Sequence, residues 1–188
     1  MKLVVVSAGL TQPSSTRLLA DRLATAVADS ADVTTRVVEL RELAVGIANN
    51  LVTGFPAPAL GDALAAVEEA DGLIVATPIF TASYSGLFKS FFDLVDHEAL
   101  TGKPVLIAAT GGTARHSLAL EHAMRPMFAY LHALVVPTAV YAATEDWAGT
   151  DLAQRIDRAA GELADLMVRT PAPAKEEFVP FADLLKGN

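Results

Sequence analysis

The sequence predicts an α/β domain: a five-stranded parallel sheet of strand order 2-1-3-4-5, sandwiched between two layers of helices. Three observations lead there. Short apolar runs rich in β-branched residues alternate with stretches of helical period along the chain. Runs such as VVV and LIVA lack a polar alternation, as expected of parallel strands covered on both faces. No fixed-period repeat and no linker interrupts residues 1–170, which therefore read as one domain. Right-handed crossovers between parallel strands then place helices on both sides of the sheet.

Residues 2–7 (KLVVVS) read as strand one, and 16–29 (TRLLADRLATAVAD) repeat Leu and Val at helical spacing. Residues 33–40 (VTTRVVEL) alternate as a half-buried second strand would. The stretch 46–58 (GIANNLVTGFPAP) reads as a loop, long for an α/β connection, and such loops are often functional. A helix follows over 59–70, then a buried third strand over 72–77 (GLIVAT) and a loop to Gly86. Next come a helix from Gly86 to Val95, strand four over 104–110, a helix over 115–131, strand five over 134–141 and a helix over 149–168. Residues 171–188 carry three prolines yet keep Phe178, Phe181, Leu184 and Leu185. Two readings are open for this tail: a segment laid on its own domain, or an arm packed on another subunit or a partner.

The composition narrows the function classes. With 188 residues, 52% hydrophobic and 19% charged, the chain can bury one sizeable core and is not a disordered segment. A formal charge of −8 argues against nucleic acid and anionic membrane surfaces as partners, though not against a local anion site. The longest apolar runs are too short to span a bilayer. Met1-Lys2 leads directly into LVVVS with no cleavable segment, and the chain holds no cysteine; both fit a cytoplasmic location. His97, His122 and His132 show no ligand spacing with carboxylates, so no metal is expected.

In an open parallel sheet, ligands bind beyond the carboxyl ends of the strands, where strand order reverses. Three loops there are built for binding. The first, SAGLTQPSSTR, carries Ser7, Thr11, Ser14, Ser15 and Thr16 and opens into a helix N-terminus, where free N–H groups and the helix dipole favour an anion. Residues 1–20 contain no acidic side chain, and Arg17 lies in the first helical turn. Simple N-capping by Ser14 or Ser15 is the plainer alternative. Neither G-x-x-x-x-G-K-[ST] nor G-x-G-x-x-G is present, so a triphosphatase loop and a dinucleotide turn are excluded here. The second loop, TPIFTAS, offers an uncharged wall. Pro78 stiffens it, the N–H groups of Ile79, Phe80 and Thr81 can meet the polar edge of a flat ring, and Phe80 either lines that site or simply packs. The third, TGGTARHS, runs from Thr110 through Gly111, Gly112 and Thr113, where two glycines permit close backbone approach. Arg115 and His116 come next, as solvated residues or as contacts for a phosphate.

These motifs, in this order, resemble the NAD(P)H-dependent FMN reductase family of the flavodoxin-like fold. Its pattern P-x-Y-x-x-S-x-x-G-x-L-K is matched here by Pro78, Phe80, Ser83, Gly86, Phe88 and Lys89, with phenylalanine in the tyrosine and leucine places. The first loop departs from the commoner GSxRxxSxN by lacking the early arginine, a gap Arg17 is placed to fill. The resemblance covers about residues 1–168 and extends to the actinobacterial type that accompanies luciferase-like monooxygenases. It implies an FMN phosphate at Ser7, Ser14, Ser15 and Thr16, and an isoalloxazine ring against 78–81 and 110–113. It also implies a homodimer or homotetramer with the flavin at the subunit interface; the 46–58 loop then either covers the neighbouring subunit's flavin or is a disordered surface excursion.

The expected reaction is hydride transfer from NADH or NADPH to FMN and onward transfer to free flavin, a quinone or another small acceptor. The cofactor carries that chemistry, so no catalytic side chain is expected. Backbone donors from Gly111 to Thr113 would face the charge that develops on the ring. A flavodoxin-type electron carrier is the main rival. Such carriers have a T-x-T-G-x-T loop and acidic residues about the flavin, whereas residues 77–92 contain none. A quinone or azo-dye reductase shares fold and cofactor and differs only in its acceptor.

Overall fold

The computed structural model describes residues 1–170; the 171–188 tail lies outside the described residues. Five strand positions form the parallel sheet, in the order β2 (Thr34–Glu39), β1 (Lys2–Ser7), β3 (Gly72–Phe80), β5 (Pro104–Gly111), β6 (Leu134–Val135). Position by position this is the expected 2-1-3-4-5, but the strands number seven. The fifth is split: β6 pairs with the start of β5, and β7 (Val140–Ala143) pairs with its end. Pro137 sits in the gap, where a residue without an N–H cannot continue the ladder. The seventh is β4 (Ser83–Tyr84), which folds back antiparallel on β3.

Continuous apolar strands feed two cores. Val4, Val6, Leu73, Val75, Val105 and Ile107 face one side. Leu3, Val5, Ile74, Ala76, Leu106 and Ala108 face the other. On the second side lie α1 (Ser15–Ser30) and α6 (Asp151–Arg169), which bury Leu19, Leu23 and Val27 and Ile156, Leu163 and Met167 at helical spacing. On the first side lie α2 (Leu40–Thr53), α3 (Pro58–Glu68), α4 (Gly86–Phe92) and α5 (Arg125–Tyr130). Here Phe88, Phe92 and Phe128 form an edge-packed aromatic cluster with centroid separations of 4.8–6.2 Å.

Three segments differ from the sequence expectation, each for a physical reason. Residues 46–53 are not loop but the end of α2. Gly46, Asn49 and Asn50 are poor helix formers, yet Leu40, Leu43 and Ile47 recur on one face and pack on the core. Only Gly54–Ala57 connects α2 to α3. Strand β3 runs on through Pro78 to Phe80 and turns at Thr81 and Ala82, both at positive φ (51° and 64°). That is the backbone a two-residue hairpin demands and glycine or asparagine usually supplies. The stretch 115–131 is broken into a 3₁₀ turn (Ala114–His116), a π turn (Leu120–Met124) and α5. Pro126 lacks the N–H that a continuous α-helix would use.

Candidate functional site

The carboxyl ends of β1, β3, β5 and β7 open into one cleft of about 450 Å³. From the β1 loop it is lined by Leu10, Thr11, Ser14, Ser15 and Thr16. From β3 come Pro78, Ile79 and Phe80, and from β5 Thr110, Gly111 and Gly112. The sequence points to most of these, and strand order explains why they meet: Ser7 pairs with Ala76 and Pro78 with Thr110, so the three strand ends lie side by side.

Each loop is held by its own device. Ser14 caps α1, its Oγ accepting from the Arg17 N–H at 3.2 Å. The chain passes close to this cap at Gly9, where a Cβ would lie 2.1 Å from Ser14 Oγ and would force the capping side chain to move. Thr16 and Thr110, both buried, share a hydroxyl–hydroxyl hydrogen bond of 2.7 Å that ties the first loop to the third. Ser15 is exposed and has no side-chain hydrogen-bond partner among the described residues, leaving its hydroxyl to the cleft. The first turn of α1 carries no acidic residue.

Beneath the hairpin, Thr77 Oγ1 accepts from Ser85 N at 3.0 Å, and Ser85 Oγ accepts from Phe88 N at 3.2 Å, capping α4. This fixes the end of β3 while Phe80 remains 48% exposed as an apolar wall. The third loop is held from outside: the Tyr141 hydroxyl donates to the Thr113 carbonyl at 2.9 Å. Burial foremost, then Asp146, pushes the Tyr141 phenol above its ordinary value. A Cβ on Gly111 would lie 2.1 Å from that hydroxyl. The fourth loop is locked by Arg155, which donates to Tyr141 O at 2.6 Å and pairs with Asp146 at 3.1 Å.

Three expected site residues do not line the cleft. Ser7 is buried at the end of β1, with its Oγ turned to the Gly9 N–H. Thr81 sits at the tip of the hairpin, and the Thr113 carbonyl is taken by Tyr141. Arg17 is spent as well: it pairs with Asp21 at 2.7 Å and with Glu39, and that pairing, with Asp21 foremost, raises its pKa. Ala142, Thr144 and Trp147 line the cleft without having been expected there. They leave the carboxyl end of the last strand, and the only tryptophan in the chain is among them. Arg22 stacks over the Trp147 ring, 5.1 Å from its centroid, and steadies it. Among the described residues, no group of three His, Cys, Asp or Glu side chains is placed to hold a metal ion.

The donor set fits a flat phosphorylated ring. Hydroxyls and a helix N-terminus free of carboxylates suit the phosphate, while Phe80, Ile79 and a glycine pair leave a slot without charge.

Comparison with known proteins agrees. The NADPH-dependent FMN reductase family matches residues 1–148. An FMN reductase (NADPH) of Pseudomonas aeruginosa is 41% identical over 146 residues, 78% of each chain. An NADH-dependent FMN reductase, SfnF, of Pseudomonas putida is 40% identical over 146 residues, covering 77% of this chain and 78% of that one. The solved structure of an oxidoreductase from Corynebacterium diphtheriae superposes with a TM-score of 0.87 at 48% identity, covering 90% of this chain and 98% of that one. An archaeal flavodoxin, at 15% identity and a TM-score of 0.63 over 89% of this chain and 99% of its own, shares the fold alone. Motif order, strand order and these likenesses converge: the chain belongs to the NADPH-dependent FMN reductase family.

Proposed function

We propose that the protein is an NAD(P)H:flavin oxidoreductase that binds FMN in the cleft at the carboxyl ends of β1, β3, β5 and β7. The observation that carries this is the first loop: hydroxyls and free N–H groups at the start of a 16-residue helix, with no carboxylate in its first turn. The Ser14, Ser15 and Thr16 stretch holds the phosphate, Ser15 with its free hydroxyl foremost. Pro78, Ile79 and Phe80 hold one side of the ring, and the backbone of Gly111 and Gly112 approaches its polar edge. When bound, the flavin supplies hydride acceptance and onward electron transfer. The chain's own part is to position, to exclude water with Phe80 and Trp147, and to present backbone donors where charge develops. No side-chain acid or base is required.

NADH or NADPH is the donor, and free flavin or another small oxidant the acceptor. Reduced flavin leaving so open a cleft is available to a flavin-dependent monooxygenase. A homodimer or homotetramer is supported by Val45, Val52 and Phe55, which are 74%, 87% and 82% exposed on and just after α2. No single helix among the described residues is long and apolar enough to cross a membrane, and with the absence of cysteine this supports the cytoplasm as its location.

The test is an FMN titration followed by anaerobic addition of NADPH or NADH. Binding with bleaching of the visible flavin band establishes the half-reaction. Replacing Ser14 and Ser15 together by Asp places two like charges at the phosphate and should weaken FMN binding by about a hundredfold or more. Unchanged affinity in the folded double variant would refute the phosphate assignment.

A further inference from the structure

A smaller pocket of about 260 Å³ is lined from two of the loops that also line the cleft. The hairpin that offers Phe80 to the cleft offers Ala82 to this pocket, and the loop that offers Gly112 to the cleft offers Arg115. Its lining brings Arg115, His116 and His122 together with the apolar side chains of Leu118 (63% exposed) and Ala123. On a chain of net charge −8, such a cluster of basic groups stands out.

The Arg115 charge is also unspent. Among the described residues, the Arg115 and His116 side chains make no hydrogen bond or ion pair. The acidic residue nearest in sequence, Glu121, is bound by Arg125 at 2.5 and 2.9 Å, and that pairing foremost, with a smaller contribution from His122, holds its carboxyl below the usual range. Glu121 is thus engaged away from Arg115. An exposed guanidinium with no carboxylate partner, beside an exposed leucine, suits a ligand with a phosphate and a flat apolar ring.

We propose that this pocket binds the adenosine phosphate end of the nicotinamide donor, with Arg115 on a phosphate and Leu118 under the adenine. The assignment rests on the flavin reading of the main cleft, because the two pockets share the hairpin and the 110–116 loop. A donor whose nicotinamide lies in the cleft runs its phosphates outward past these same walls. Two phosphates of the donor have the chemistry Arg115 reads: the 2′-phosphate, present only in NADPH, and the pyrophosphate, common to both donors.

The test uses the full chain saturated with FMN. Calorimetric titration with 2′,5′-ADP and with ADP, on the unmutated protein, Arg115→Glu and Leu118→Glu, reads the pocket without turnover. Steady-state KM values for NADPH and NADH are measured alongside. Loss of a charge-assisted phosphate contact should raise the affected constants about tenfold or more. If Arg115→Glu weakens 2′,5′-ADP and raises the KM for NADPH alone, the 2′-phosphate is the group bound. If it weakens both nucleotides and raises both KM values, the pyrophosphate is. In either case Leu118→Glu weakens both nucleotides, and FMN affinity stays unchanged in both variants. Binding of both nucleotides as tight as in the unmutated protein, with unaltered KM values, in Arg115→Glu overturns the proposal. Failure of the flavin reading looks different: the unmutated protein neither binds FMN nor oxidises either donor, and the calorimetry is then read on the protein alone.

Discussion

The two ends of the sheet are built from the same strands and treat their polar groups in opposite ways. At the amino end, backbone and side chains close on each other. Asp71 accepts from Lys2 N at 2.6 Å, and Lys103, although only 3% exposed, donates to the carbonyls of Val67 and Glu68 at 2.7 Å each. Those carbonyls end α3, where a cation offsets the helix dipole. At the carboxyl end, four loops diverge and leave a cleft lined by hydroxyl groups and glycine backbone. One end spends its donors on the fold and the other keeps some for a ligand. Stability and binding should therefore separate by mutation.

The largest expected effect on binding is at the carboxyl end. In Gly111→Val the new side chain meets the Tyr141 hydroxyl and displaces the third loop. FMN affinity should fall by about a hundredfold, roughly 2.7 kcal/mol, measured by flavin fluorescence; a drop no larger than that of Tyr141→Phe would mean the loop gives way without harm.

At the amino end, Lys103 sharpens the contrast through pH. Burial foremost lowers its pKa to about 8 from 10.5, despite the opposing pull of Glu68 and Asp71. Between those values the unfolded chain holds more protons than the folded one, so this group's contribution to stability is full above the unfolded value and lost as pH falls to about 8. Urea unfolding should show the unmutated protein gaining about 1–2 kcal/mol on Lys103→Met from pH 8 to 10, with FMN affinity equal in the two. A flat difference across that range would remove Lys103 from the account.

The Thr16–Thr110 bond gives a paired effect. Either Thr→Val change alone strands a buried hydroxyl and should cost about 1–3 kcal/mol, while the double variant recovers most of it. Additive losses would show that the two hydroxyls do not act together. Smallest is Tyr141→Phe, about 1 kcal/mol of stability and a few-fold loss in FMN affinity.

The sheet is legible in the sequence because its central strands β1, β3 and β5 are apolar on both faces, as a parallel sheet between helices asks. The first and third loops are legible for a related reason: residue types with few other uses cluster where strands end. The α2 segment is not, since Gly46, Asn49 and Asn50 favour a loop locally and packing through Leu40, Leu43 and Ile47 overrides them. Thr144 and Trp147 escape notice because strand five reads as unbroken to residue 141, which leaves residues 142–148 as a mere connection. Pro137 is the signal that could have found them. Arg17 meets Asp21, four residues on along α1, and Glu39, 22 residues away at the end of β2; the first of these partners is legible from helical spacing and the second is not.

That break at Pro137 has a meaning for the sheet as a whole. An outer strand with free N–H and C=O groups is a template on which another chain can add a strand. Here the template is filled from within: Arg125 donates to the carbonyls of Val136 and Pro137 at 3.0 and 3.1 Å, and Glu162 accepts from the N–H and hydroxyl of Thr138 at 2.7 Å each. An invading strand would have to displace a guanidinium and a carboxylate, then skip a proline. At this border of the sheet the polar groups that another strand would need are already taken by side chains of the same chain.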